Sequence, residues 1–159
     1  MWIINFRKGI GIKQSFRGIV FDFHRYTNEI QMNIPKRVMI ADDDHAIVDA
    51  VQAMLEFGGY EASYTYNGAT ILDMVDNLPH LLLLDIWMSG TDGRDVCKAL
   101  KKRGLTKDIP VIMISASTDL EKSAKEAGAD DFLEKPFDMD ELLDKISFHL
   151  NAKTENSTL

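Results

Sequence analysis

One run constrains this chain more than any other. It is Leu81-Leu82-Leu83-Leu84-Asp85, followed by a short segment from Ile86 to Gly93 that carries Gly90 and Gly93. Four consecutive leucines cannot form a half-exposed strand, because alternate side chains would face water. The run predicts a central strand covered on both faces, as in parallel sheets packed between helices. Asp85 then falls where that strand stops. In open α/β sheets the carboxyl ends of the strands are where ligands bind. Aspartate is also common in turns, so Asp85 by itself leaves both roles open.

The flanking sequence repeats the same grammar. Val38 to Ala41 reads as a short buried strand, and Ile47, Val48, Val51, Met54 and Leu55 recur at helical spacing until Gly58-Gly59. Tyr60 to Tyr66 is strand-like, with Asn67-Gly68 as a turn. Ile71, Met74, Val75 and Leu78 predict a second helix ending before Pro79. Val96, Ala99 and Leu100 mark a third helix, with Lys101-Lys102-Arg103 at its negative end. Val111 to Ile114 is another apolar strand, ending at Ser115. A fourth helix is expected from about Asp119 to Ala127, closed by Gly128. Phe132-Leu133 belongs to a fifth strand that ends at Lys135-Pro136. The last helix carries Met139, Leu142, Leu143, Ile146 and Leu150 on one face, and Asp138 with Glu141 resembles a capping box at its start. Strict β-α alternation with short connections predicts a doubly wound three-layer α/β/α sandwich. Its five-stranded parallel sheet would have the flavodoxin-like order 2-1-3-4-5.

At 159 residues the chain suits one domain with extensions. Residues 1–35 lack sustained periodicity and carry five Lys/Arg against two Asp/Glu, whereas the remainder carries 13 against 23. We therefore expect an N-terminal extension over 1–35, a domain over 36–150 and a polar tail over 151–159. The net charge of −7 argues against direct nucleic-acid binding. The single cysteine, Cys97, precludes an intrachain disulfide and fits a cytoplasmic setting. No stretch reaches the roughly 18 apolar residues of a membrane span.

The strand ends hold the chemistry. Strand one ends in Asp42-Asp43-Asp44, strand three in Asp85, strand four in Ser115 and strand five in Lys135. The expected topology gathers these on one edge of the sheet. Clustered carboxylates repel, and one lysine does not balance them. A hard divalent cation with oxygen ligands does, which points to Mg²⁺. A carboxylate beside Mg²⁺ and an ammonium is equipped to accept a phosphoryl group as an acyl phosphate, with Ser115 as a hydrogen-bond donor. Asp44 is better suited to capping the first helix, and Cys97 to packing. His24, His45, His80 and His149 show no metal-ligand spacing.

The segments VMIADDD, LLLLDIWMSGTDG, VIMISA and GADDFLEKPF, in this order and spacing, resemble the receiver domain of bacterial two-component response regulators over about Arg37 to Leu150. The resemblance implies that Asp85 is the phosphoacceptor. It implies that Asp42, Asp43 and Asp85 hold Mg²⁺, with the backbone carbonyl of Trp87 completing the protein ligands. Ser115 matches the switch hydroxyl, Phe132 the rotating aromatic and Lys135 the phosphate-binding lysine, and a cis peptide is expected before Pro136. The implied partner is a sensor histidine kinase or a histidine phosphotransfer protein. Because only nine residues, mostly polar, follow Leu150, a stand-alone, chemotaxis-regulator type is expected, which is a signalling domain and not an enzyme. Ser89 departs from the pattern, since the family usually has proline there, and serine restores a backbone N–H. Rival readings are a degenerate receiver acting only as an interaction module, a phosphatase of the haloacid-dehalogenase type and a flavodoxin. The second lacks the Thr or Val expected where Ala46 stands, and three carboxylates would repel the flavin phosphate of the third.

The charge reversal and irregular pattern of residues 1–31 predict that they are dispensable for phosphotransfer. The alternative is that Trp2, Ile3, Phe6, Phe21 and Phe23 dock on the domain or on a membrane surface. A chain starting at Met32 should match the full chain in melting temperature, Mg²⁺ affinity and phosphorylation rate. A melting point many degrees lower, or lost phosphorylation, would make the segment part of the working domain.

Overall fold

A computed structural model describes residues 34–117 and 119–156, so expectations for residues 1–33 lie outside the described residues. The chain divides after Pro35, and the unit Lys36–Leu159 is described by itself. Five parallel strands alternate with five helices. They are β1 (Arg37–Ala41), α1 (His45–Phe57), β2 (Glu61–Thr65), α2 (Gly68–Asp73), β3 (Leu81–Asp85), α3 (Gly93–Lys102), β4 (Val111–Ser115), α4 (Leu120–Ala127), β5 (Asp131–Glu134) and α5 (Met139–Asn156). The sheet order is β2-β1-β3-β4-β5, the doubly wound flavodoxin-like arrangement.

β3 is central. Leu83 lies opposite Ile40 on one side and Ile112 on the other. Every β3 and β4 residue is buried, as the apolar runs require. Alternate residues feed two separate cores. Val38, Ile40, Leu81, Leu83, Ile112 and Ile114 pack with α1 and α5. Met39, Ala41, Leu82, Leu84 and Met113 pack with α2, α3 and α4.

Local signals set the helix ends. Asp44 caps α1, accepting hydrogen bonds from the N–H groups of Ala46 at 2.9 Å and Ile47 at 3.3 Å. Asn67 is the cap of α2 and not merely a turn residue, with its side chain accepting from the Ala69 N–H. Asp138 accepts from the Glu141 N–H at 2.9 Å. Gly128 closes α4 in the left-handed conformation at φ 78°.

Three elements differ from expectation. α2 stops at Asp73 instead of reaching Leu78. Met74 is extended at ψ 130°, and Asn77 has φ 49°. Pro79 disfavours helix at Leu78, and the Arg37 guanidinium captures the Leu78 carbonyl at 2.8 Å. The segment after β3 is a small antiparallel ribbon pairing Trp87–Met88 with Thr91–Asp92. α5 continues past Leu150 to Asn156, into the stretch expected to be a tail.

Gly93 anchors the ribbon to the strand end. Its N–H donates to the Ile86 carbonyl at 2.9 Å. A Cβ there would lie 2.1 Å from the Asp85 carbonyl oxygen and 3.1 Å from Ile86 Cα. Because those atoms are backbone, they cannot rotate away. Gly93→Ala should destabilise the fold by about 1–3 kcal/mol or more, read as a lower urea midpoint. Gly104→Ala, where nothing lies within 4 Å, should change it little.

Candidate functional site

Parallel register brings the polar strand ends together. Ala41 lies opposite Leu84, Asp85 opposite Ile114 and Ser115 opposite Glu134. Asp42, Asp43, Asp85, Ser115 and Lys135 therefore share the carboxyl edge, and with Asp44, Trp87, Ala116 and Ser117 they line an open cleft of about 430 Å³. Asp42 is 1% exposed and Asp85 5% exposed, an unusual depth for carboxylates.

Each buried carboxylate is satisfied at both oxygens. Lys135 Nζ donates to Asp42 Oδ2 at 2.6 Å and to Asp85 Oδ1 at 2.8 Å. Asp42 Oδ1 accepts the Asp44 N–H at 2.9 Å, and Asp85 Oδ2 accepts the Trp87 N–H at 2.8 Å. Among the described residues no buried side-chain polar atom lacks a partner. Asp43 is held differently, because its Oδ2 accepts from Ser89 N–H at 2.7 Å and Ser89 Oγ at 2.6 Å. Ser115 is buried, and its hydroxyl accepts from the Ser117 N–H at 3.2 Å. The Lys135–Pro136 peptide bond is cis.

One ammonium shared by two buried carboxylates leaves the charge uneven. Burial pushes the Asp85 carboxyl above its ordinary range, outweighing the hydrogen bond from Lys135, and the nearby Asp42 charge acts in the same direction as burial. Burial pulls Lys135 down, but its bonds to Asp42 and Asp85 outweigh that and raise it. The two Ser89 donors hold Asp43 below the usual carboxylate range. Asp42, Asp43 and Asp85 each offer an oxygen within 4.8 Å of the others. Three hard oxygen donors of net negative charge fit a divalent cation such as Mg²⁺.

Two expected residues lie outside the cleft lining. Phe132, opposite Met113 on β5, packs against the core beneath α3 and α4, with Lys145 Nζ 5.4 Å from its ring centroid. Pro136 also lies outside it. Trp87 is 61% exposed, and the Arg94 guanidinium covers its ring at 4.7 Å while pairing with Asp92 at 2.6 Å. Nothing in the sequence signalled that stack, nor the Ser89–Asp43 contact beyond the N–H that serine restores. Cys97 is fully buried and its thiol is pushed up to about 11 by burial, as suits packing. No helix among the described residues is long and apolar enough to cross a membrane.

The raised Asp85 value has a consequence for stability. A carboxyl favoured in its protonated form by folding contributes stability below its unfolded value and loses it as pH rises through the folded one. At neutral pH, ionised Asp85 therefore opposes folding. In the presence of a chelator, Asp85→Asn should melt above the wild type at pH 7, and the advantage should shrink as pH falls into the carboxylate range. An equal or lower melting temperature at pH 7 would contradict the burial penalty.

The protein-family model described as the response regulator receiver domain matches residues 38–147. Response regulator MprA of Mycobacterium sp. (strain KMS) is 34% identical over 116 residues, covering 71% of this chain and 50% of the relative. The chain thus spans about half the length of the curated relatives it matches. A response regulator from Chloroflexus aurantiacus J-10-fl superposes with a TM-score of 0.70 at 33% identity, covering 74% of this chain and 99% of that one. A CheY-like receiver domain protein from Methanospirillum hungatei JF-1 gives 0.67 at 31%, covering 77% and 99%. With its sheet order, buried acidic edge and matched segment in agreement, the chain belongs to the response regulator receiver domain family of phosphorelay signalling.

Proposed function

We propose that Asp85 is the phosphoacceptor and that its phosphoryl group comes from a phosphohistidine on a sensor histidine kinase or a histidine phosphotransfer protein. The observation that carries this is the Lys135 ammonium held between Asp85 and Asp42 at the cleft. An Asp85 oxygen attacks phosphorus, the P–N bond breaks, and the imidazole departs with the electron pair, leaving an acyl phosphate. Asp42, Asp43, Asp85 and the backbone carbonyl of Trp87 would hold Mg²⁺. When bound, the ion supplies positive charge that neutralises the phosphoryl oxygens. Lys135 does the same from the β5 end, and the Ser115 hydroxyl donates to a phosphoryl oxygen.

The conformational output is assigned to α4, with Ser115 drawn inward and Phe132 following. Only Leu120, Ala124 and Ala127 of α4 are buried, and Asp119 makes no side-chain cap bond. Such a thin anchor suits an element that shifts at low energetic cost. The chemistry is that of an acceptor domain which assists only its own phosphorylation and dephosphorylation. A cytoplasmic setting fits these partners. We assign the working domain to residues 36–150, with 1–35 as an extension and 151–159 outside it. The stand-alone, chemotaxis-regulator type finds no support in the curated relatives, which are about twice as long as the matched segment. Asp44 is engaged in capping α1, which argues against the haloacid-dehalogenase arrangement. The acidic cluster paired with Lys135 argues against a degenerate receiver.

Incubation with Mg²⁺ and acetyl phosphate should add the mass of one phosphoryl group to the wild type and nothing to Asp85→Asn. Lys135→Met should retain Mg²⁺ binding, since a cation does not ligate a cation, yet lose most phosphorylation. An undiminished mass gain in Asp85→Asn would end the assignment. Parallel loss of Mg²⁺ affinity and phosphorylation in Lys135→Met would reassign the lysine.

A further inference from the structure

We propose that Ser89 is a positioning residue for the metal site, fixing the Asp43 carboxylate so that a single oxygen faces the cation. The inference rests on the Mg²⁺ site proposed above and concerns what sets its affinity and selectivity. Asp42 and Asp85 are each pinned at one oxygen by Lys135 and at the other by a backbone N–H. Asp43 has a different restraint. Both Ser89 donors, the N–H at 2.7 Å and the hydroxyl at 2.6 Å, converge on Oδ2. A carboxylate oxygen has about two lone-pair positions, so Ser89 fills Oδ2 and leaves Oδ1 for a metal.

The direction of the contact supports this role. Asp43 lines the cleft, whereas Ser89 does not. Ser89 thus grips the carboxylate from outside, through the ribbon between Met88 and Gly90. Asp43 is less buried than Asp42 and Asp85, and the ribbon holds it where core packing does not. The proline usual in the family at this position offers neither donor, so the grip comes with the hydroxyl residue that stands here. Mg²⁺ demands near-ideal octahedral geometry, while Ca²⁺ tolerates irregular sites. A fixed oxygen therefore favours Mg²⁺ more than Ca²⁺.

The test is calorimetric titration of the full chain with MgCl₂ and, separately, CaCl₂, comparing wild type, Ser89→Ala and Ser89→Thr. Loss of such a supporting partner weakens metal binding by about 10–100-fold, so Ser89→Ala should bind Mg²⁺ about tenfold more weakly. Its Ca²⁺ affinity should change much less, and Ser89→Thr, which keeps both donors, should restore Mg²⁺ binding. Melting temperatures in chelator should differ little among the three, because Ser89 is exposed. Unchanged or tighter Mg²⁺ binding in Ser89→Ala, equal weakening for both metals, failure of threonine to rescue, or a melting point in chelator lower by many degrees would each overturn the proposal. A wild type that binds no Mg²⁺ would overturn the metal site itself and this inference with it. A wild type that binds while Ser89→Ala is unaltered would overturn only the role of Ser89.

Discussion

Two carboxylates buried beneath one ammonium set the terms for this fold. Asp42, Asp85 and Lys135 arrive from β1, β3 and β5, elements far apart in the chain. Burying any of these charges alone would cost several kcal/mol, so each is tolerable only where the sheet register delivers its partners. A one-residue slip in any of the three strands would send its apolar set to the wrong face and its charged residue away from the edge. Packing and charge pairing thus select the same register. The pairing is deliberately incomplete in one respect: one positive charge cannot neutralise two carboxylates together with Asp43 beside them. The residual negative charge leaves the edge suited to a cation, and Asp85 lies deep in it at 5% exposure.

Most of this was legible in the sequence because apolar runs and strand ends are local signals. VMIA, LLLL and VIMI could only be strands buried on both faces, and their alternation with amphipathic helices left few topologies. Once the topology was given, Asp42, Asp85, Ser115 and Lys135 had to share an edge. What escaped depended on partners remote in sequence. The helical spacing of Ile71, Met74, Val75 and Leu78 was real, yet α2 ended at Asp73; beyond it Pro79 disfavours helix at Leu78, and the Arg37 guanidinium holds the Leu78 carbonyl. The ribbon after β3 depends on two-residue pairings too short to leave a period. The absence of proline at Ser89 could be read directly, but not where the restored N–H would point. For α5, a loss of apolar residues after Leu150 suggested an end to structure, whereas helix propagation needs only the next hydrogen bond.

The sheet also acts as a bulkhead. It separates the core beneath α1 and α5 from the core beneath α2, α3 and α4, and no described residue belongs to both. Met113 and Ile114, adjacent on β4 just before Ser115, point into opposite compartments. A disturbance beginning at Ser115 therefore meets two different mechanical loads. On one side it meets long branched side chains from two helices, where small displacements cost dispersion energy at many contacts. On the other, beside the larger side chains of α3, it meets the alanines of α4 and the half-buried ring of Phe132, where α4 itself interlocks little. Such asymmetric stiffness would give the proposed phosphorylation a preferred outlet. One half of the molecule would then serve as ballast while the other carried the message.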